Sequence, residues 1–338
     1  MSSEPLKPIT ILGAGSWGTA LALYLARRNQ TVRMWSIDKS EIDAMQKERA
    51  NNRFMPGFIL PETIHPMDDL REAIKEVDDI LVVIPSAGFR HTLTLLKPLL
   101  LPHQRIICAA KGLDTDTCQL FSDVTLEVLG KEHPFAVLSG PSFAREVAAG
   151  LPCAVVIASE HKSFRDDLAN RFNSPLFRIY TSNDVIGVEV GGVAKNVIAI
   201  ATGISDGMQL GANARSALIT RGLAEIIRLG TTLGGKIETF VGLSGLGDLI
   251  LTCSDDQSRN RRLGLAIGRG RDIHEAEREI GQVVEGKRNA ELVTQLALRH
   301  GIDMPICQII WAILQGKLKA KEAIDKLLAR DSKSEQDV

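Results

Sequence analysis

Two lysines stand where a proton carrier would be placed. Lys195 interrupts the run Val188-Glu189-Val190-Gly191-Gly192-Val193-Ala194-Lys195-Asn196-Val197-Ile198-Ala199-Ile200. On such an apolar, small-residue surface an ammonium is costly unless it is paired, or unless its stem carries it to water, and composition weighs the two readings equally. Held inside, it would have a lowered pKa and could give and take a proton near neutrality. Lys111 directly follows the apolar segment 105–110. If that segment is a strand of a parallel sheet, Lys111 leaves its carboxyl end, where ligands of open α/β sheets lie; a solvated loop charge is the competing reading. Asp248, in Gly245-Leu246-Gly247-Asp248-Leu249, is a carboxylate that would raise the pKa of Lys195. None of the seven histidines falls in these clusters, so a His–Asp relay is not expected.

Other residue types suit anions. In Ser258-Arg259-Asn260-Arg261-Arg262, Ser258 is a good helix N-cap, and Arg259 is a bidentate partner for a phosphate at that helix end. Arg259 and Arg262 could equally form one solvated face. Gly140 and Ser142 precede a helix-like stretch, 144–149, and offer backbone groups to a hydroxyl or anion. Gly13-Ala14-Gly15-Ser16-Trp17-Gly18 fits G-x-G-x-x-G, a pattern that 29 glycines in 338 residues would produce by chance about 0.2 times. Its context is more telling than its occurrence, because it follows an apolar run and opens a helix. Gly13 permits the turn, Gly15 lets backbone approach a pyrophosphate, and Gly18 lets helix and strand pack. A glycine-rich turn with no ligand is the alternative. In Trp35-Ser36-Ile37-Asp38-Lys39 no carboxylate sits at the second strand's tip, and Arg33 and Lys39 are near. NADP or NAD would be accepted, with NADPH slightly favoured; Asp38 is at even odds a helix N-terminal acid.

The elements that position these residues alternate. Apolar runs at 9–12, 31–35, 79–84, 105–110 and 135–138 are separated by helical spacing at 17–28, 91–101 and 120–129. Two more strand-like runs, 153–158 and 177–180, flank a helix-like stretch at 162–172. This predicts an α/β Rossmann-type dinucleotide-binding domain over 1–185, with a mostly parallel sheet covered on both faces. From 184 the texture becomes helical, with runs at 188–204, 214–229, 261–267, 290–298 and 306–314, predicting an all-α C-terminal domain over 186–330 and a flexible tail over 331–338.

Composition removes whole classes. Lys plus Arg number 40 against 41 Asp plus Glu, so no basic field recruits nucleic acid, and aromatics at 4% leave little for base stacking. Five cysteines without a C-x-x-C pair argue against a disulfide scaffold or a structural zinc, and no metal is expected. No signal peptide and no apolar run of about 18 residues is evident, which predicts a cytoplasmic chain without a membrane span. The apolar faces of the helical domain predict a homodimer.

Together with Ala110-Lys111-Gly112, Leu138-Ser139-Gly140-Pro141-Ser142-Phe143-Ala144, Lys195-Asn196 and Val283-Val284-Glu285-Gly286, these motifs resemble the bacterial NAD(P)-dependent glycerol-3-phosphate dehydrogenases, in order over residues 9–290. The resemblance implies hydride transfer between NAD(P)H and dihydroxyacetone phosphate, supplying sn-glycerol 3-phosphate for phospholipid synthesis. It implies that Ser16, Trp17, Ala144, Val283 and Glu285 contact the cofactor, and that Lys111 and Arg259 contact both cofactor and substrate. It further implies that Gly140, Ser142, Asp248, Ser258 and Asn260 bind substrate and that Lys195 is the catalytic proton carrier. Ile37 stands where that family can carry a histidine. Two other readings remain at this stage: a β-hydroxyacid or ketopantoate reductase, against which Ser258-Arg259-Asn260 and Gly247-Asp248 argue, and an NAD(P)-binding sensor, in which Lys111 and Lys195 would be unnecessary.

Overall fold

A computed structural model of the protein describes residues 7–323; the tail expected at 331–338 lies outside them. The chain forms two compact units, one running to Ala110 and from Phe121 to Val185, the other made of Lys111–Leu120 and the chain from Ile186 onward. An uninterrupted first domain over 1–185 therefore needs one correction. Residues 111–120 belong with the helical unit because Leu113, Cys118 and Leu120 are buried in its core. The Arg299 guanidinium also donates to the Thr117 carbonyl at 2.6 Å.

The first unit is an eight-stranded sheet: β1 (Ile9–Leu12), β2 (Val32–Trp35), β3 (Ile64–Met67), β4 (Asp79–Val82), β5 (Arg105–Cys108), β6 (Phe135–Ser139), β7 (Cys153–Ala158) and β8 (Phe177–Ser182). Their order is β3-β2-β1-β4-β5-β6-β7-β8. All neighbours are parallel except β6 and β7, which run antiparallel with Leu138 opposite Ile157. The connection after β6 carries only the six-residue helix Ala144–Ala149 and leads into a reversed β7. β1 and β4 are buried at every position, as strands covered on both faces must be. β3 was not among the expected strands; Pro66 lies within it, and as an edge strand it tolerates a residue without an N–H. Because β1, β4, β5 and β6 are parallel, the turns following Leu12, Val82, Cys108 and Ser139 share one edge of the sheet.

The second unit is built on the helix Val185–Gly207. Its centre is wholly buried from Val188 to Ile204. Facing glycines let it cross the helix Arg259–Gly268 with backbones touching: a Cβ on Gly203 would lie 2.3 Å from the Arg261 carbonyl oxygen, and one on Gly268 2.3 Å from that of Ile204. Two stretches, Val185–Gly207 and Ile237–Ser254, are long and apolar enough to cross a membrane by composition, which the sequence reading did not anticipate. Val and Ile carry the hydropathy of the first, and 94% of its apolar window is buried, as in a core helix. The second joins a short helix, a π-helical turn and another helix.

Candidate active site

The second unit contains a buried charge cluster made by three separate segments. Lys195, near the middle of the helix Val185–Gly207, is 6% exposed. Its Nζ donates to Asp248 Oδ1 at 2.5 Å and to Thr252 Oγ1 at 2.8 Å. Lys111 donates to the other oxygen, Asp248 Oδ2, at 2.7 Å. A carboxylate thus stands between two ammonium groups, and the alternative of a lysine snorkelling to solvent is excluded for Lys195.

Asp248 reaches this place through local backbone chemistry. Leu243–Gly247 forms a single π-helical turn, a local widening that often marks functional sites, and it feeds the helix Asp248–Ser254. Gly245 allows that turn to close, since a Cβ there would lie 2.1 Å from the Phe240 carbonyl oxygen. Four residues on, Thr252 shares the helix face of Asp248 and contacts its carbonyl at 2.6 Å.

Burial lowers the Lys195 pKa, Asp248 raises it and Lys111 lowers it again, and the balance brings it to about 8. Burial raises that of Asp248, but Lys111 and Lys195 outweigh it and hold the carboxyl below its ordinary value. Burial pushes the neighbouring Cys253 thiol up to about 12, so it stays neutral beside the lysine. A lysine poised near pH 8 can donate a proton in one direction of a reaction and accept it in the other.

A polar chain runs beside this cluster. Asn260 Nδ2 donates to Asn196 Oδ1 at 2.9 Å, and Asn260 Oδ1 accepts from the Gly286 amide at 2.8 Å. Ser258 caps the helix Arg259–Gly268, its Oγ accepting from the Arg261 amide. The Arg261 guanidinium clamps this end through Asp206 at 2.5 Å, Asp256 at 2.9 Å and the Cys253 carbonyl at 3.2 Å. Arg259 is different: half-buried, it has no hydrogen bond or ion pair among the described residues, and it senses only the charges of Glu285 and Arg262. Burial lowers its pKa, and a bound anion would offset that cost by its charge. Val283 is exposed, and Glu285 opens the helix Glu285–Arg299.

In the first unit the glycine turn follows β1. Gly13 has φ +117° and donates to the Trp35 carbonyl at 2.8 Å. A Cβ on Gly18 would lie 2.0 Å from the Gly13 carbonyl oxygen, whereas one on Gly15 would meet nothing within 4 Å. Gly15 thus faces open space at the N-terminus of the helix Ser16–Ala26, which no side chain caps. Ser16 Oγ donates to the Phe54 carbonyl, and the buried Trp17 Nε1 has no hydrogen-bond partner. An uncapped helix end beside an open glycine fits a dinucleotide pyrophosphate. Gly140 has φ +140°, with its Cβ position 3.0 Å from the Val155 backbone, and Ser142 Oγ donates to its carbonyl at 2.9 Å. Ala144 begins the following helix, which the Arg27 guanidinium ties to the helix Ser16–Ala26 through the carbonyls of Val147 and Ala148.

Models of the N-terminus and C-terminus of NAD-dependent glycerol-3-phosphate dehydrogenase match residues 8–165 and 184–325. The chain belongs to that family. Proteins named glycerol-3-phosphate dehydrogenase, NAD(P)+, from Coxiella burnetii (strain RSA 331 / Henzerling II) and Idiomarina loihiensis are 51% and 50% identical, over 98% and 97% of this chain and 100% and 98% of theirs. A crystal structure of glycerol-3-phosphate dehydrogenase from Coxiella burnetii superposes with a TM-score of 0.94 at 50% identity, over 96% of this chain and 99% of that one.

As a glycerol-3-phosphate dehydrogenase family member, the chain has its motif residues in two groups. Gly13, Gly15, Ser16, Trp17, Gly18, Gly140, Ser142 and Ala144 lie in the first unit; Lys111, Lys195, Asp248, Ser258, Arg259, Asn260, Val283 and Glu285 lie in the second. Near the tip of β2, Asp38 is an N-cap, accepting from the Ser40 amide at 3.0 Å. Arg33 is turned away, donating to the carbonyls of Glu72 and Lys75. Thr252, Asn196 and Asn289 were given no role from sequence, although Asn196 stands in the Lys195-Asn196 motif. Asn289 is fully buried and donates toward the carbonyls of Val193 and Lys111 at 3.3 and 3.4 Å. Their signals were weak: a spacing of four after Asp248, adjacency to Lys195 and a spacing of four after Glu285.

Proposed function

We propose that this chain interconverts dihydroxyacetone phosphate and sn-glycerol 3-phosphate with NAD(P) as redox partner, Lys195 carrying the proton. The observation that carries the chemistry is the buried Lys195–Asp248–Lys111 cluster, with the pKa of Lys195 at about 8. When bound, the nicotinamide supplies or accepts the hydride at C2. Reduction adds that hydride to C2 and the Lys195 Nζ proton to the C2 oxygen; oxidation returns the proton to the neutral amine. Lys111 places a second positive charge toward the developing alkoxide. Asp248 holds both ammonium groups in place and contacts substrate. Ser258, Arg259 and Asn260 hold the phosphate, and the otherwise unpartnered Arg259 supplies the charge-assisted bonds that position C2. Gly140 and Ser142 bind substrate; Gly13, Gly15, Gly18, Ser16, Trp17, Ala144, Val283 and Glu285 hold the cofactor, with Lys111 and Arg259 also touching it. The product feeds phospholipid synthesis.

We further propose a cytoplasmic homodimer. Five cysteines without a disulfide suit a reducing compartment, and Leu210, Ile237, Val241 and Ile250 offer exposed apolar surface on the second unit.

The test follows reduced-cofactor absorbance with NADPH or NADH and either dihydroxyacetone phosphate or dihydroxyacetone, in the wild type and Lys195→Ala. Oxidation that needs the phosphate and nearly vanishes in the variant is expected. Equal turnover of the two ketones would remove the phosphate assignment. Folded protein that binds NADPH but oxidises neither cofactor would return the sensor reading.

A further inference from the structure

We infer that Arg53 distinguishes a 2′-phosphorylated dinucleotide from an unphosphorylated one, and that Glu41 and Asp38 limit how strongly it does so. This deepens the dinucleotide reading of the glycine turn and rests on it. In such folds the ribose 2′ position is read beyond the tip of the second strand. Here β2 ends at Trp35, and the side chains around that tip are already committed. Asp38 caps a helix, Arg33 points to carbonyls on the other side, and Lys39 is paired with Asp43 at 3.1 Å and Asp68 at 2.8 Å. Ile37 is 71% exposed and offers no polar atom.

Arg53 reaches this place from a different segment. Its loop is fastened to the glycine turn: Ser16 Oγ donates to the Phe54 carbonyl at 2.8 Å, and Asn51 Nδ2 donates to the Ala14 carbonyl at 2.6 Å and to Thr19 Oγ1 at 2.8 Å. Asn51 Oδ1 accepts from the Phe54 amide, closing the loop on itself. The guanidinium lies over the Phe54 ring, 4.9 Å from its centre. Nη1 meets Glu41 Oε1 at 2.5 Å and Asp38 Oδ2 at 3.6 Å. The Nε and Nη2 hydrogens make no hydrogen bond among the described residues, which leaves one planar donor edge open to solvent. That edge suits the oxygens of a phosphate monoester.

The two carboxylates explain why the preference would be moderate. Glu41 is held by Ser36 Oγ at 3.1 Å and cannot easily leave, so a second phosphate gains Arg53 but meets negative charge. A site balanced this way accepts both cofactors. The Arg53 side chain is 66% exposed, so replacing it costs the fold little, and Glu41→Gln keeps the side chain's shape and an oxygen for Ser36.

Calorimetric titration of the full chain with 2′,5′-ADP and with 5′-AMP tests this without turnover. Arg53→Gln is expected to weaken 2′,5′-ADP by about tenfold or more and to leave 5′-AMP within about twofold. Glu41→Gln is expected to tighten 2′,5′-ADP severalfold. An unchanged ratio of the two affinities in Arg53→Gln would overturn the role of Arg53, and unchanged or weaker 2′,5′-ADP binding in Glu41→Gln would overturn that of Glu41. A wild type that binds neither ligand would overturn the dinucleotide reading itself, and the proposal with it.

Discussion

Replacing Asp248 by asparagine keeps the shape of the side chain and removes the charge between two lysines. At about 4 Å between charge centres and an effective dielectric of about 20, the carboxylate attracts a lysine by about 4 kcal/mol. At about 1.4 kcal/mol per pH unit, that is about three units on the Lys195 pKa. Lys111, no longer offset, pushes the same way. The midpoint therefore falls from about 8 to well below 7. With Lys195 as the proposed proton carrier, ketone reduction needs its protonated form, so in the wild type the rate is expected to decline as pH rises through about 8, while alcohol oxidation rises through the same point. In Asp248→Asn both limbs move toward acid, and reduction at pH 7 drops by about 100-fold as the general acid is lost. The assay is kcat/KM for dihydroxyacetone phosphate and for glycerol 3-phosphate from pH 5.5 to 10. A limb that stays at about 8, or moves alkaline, would show that Asp248 does not control Lys195.

Two further outcomes concern stability. Glu225 accepts from the Ile306 and Cys307 amides at 2.7 and 3.2 Å, yet burial raises its pKa to about 7. The folded chain therefore keeps a proton that the unfolded chain loses above its ordinary value of 4.5, and stability falls as pH rises from there through about 7, by up to about 3 kcal/mol. Urea unfolding at pH 5 and pH 8 should show this loss in the wild type and less of it in Glu225→Gln; equal slopes in both would count against it. Gly203→Ala places a Cβ 2.3 Å from the Arg261 carbonyl oxygen and 2.9 Å from Gly264 Cα. It should cost about 1–3 kcal/mol despite better helix propensity, and it should raise KM for the phosphorylated ketone. An unchanged urea midpoint would mean that the crossing is looser than the backbone contacts indicate.

Local chemistry was legible and long-range pairing was not. The Gly13–Gly18 turn, the Ser258 cap and the alternating strands each follow from neighbours in sequence, and the structure has them where spacing puts them. The signs of the influences on Lys195 could also be listed from composition. Their balance could not, because it depends on burial and on Asp248, 53 residues away, reaching the lysine through a π-helical turn that no spacing announces. Lys111 was placed correctly after a strand, but only the packing of Leu113, Cys118 and Leu120 assigns its segment to the helical unit. Arg261 carried no role in the sequence reading; its burial between Asp206 and Asp256 is a tertiary fact. Pro66 hid β3 because the period-two signal is weak in a four-residue edge strand.

The glycine crossing has a consequence for register. Gly203 and Gly207 recur every four residues on one helix and meet Gly264 and Gly268 on the other, so the two rods mesh like gear teeth at one setting. Sliding by a single turn one way would bring Ala199 to the place of Gly203, its Cβ against the Arg261 carbonyl oxygen. The distance along the axes between Lys195 and Ser258-Arg259-Asn260 is therefore set as by a vernier, and a ketone phosphate whose two ends are spaced differently would find no compensating slip. Length discrimination between such substrates can thus reside in a contact that neither of them touches.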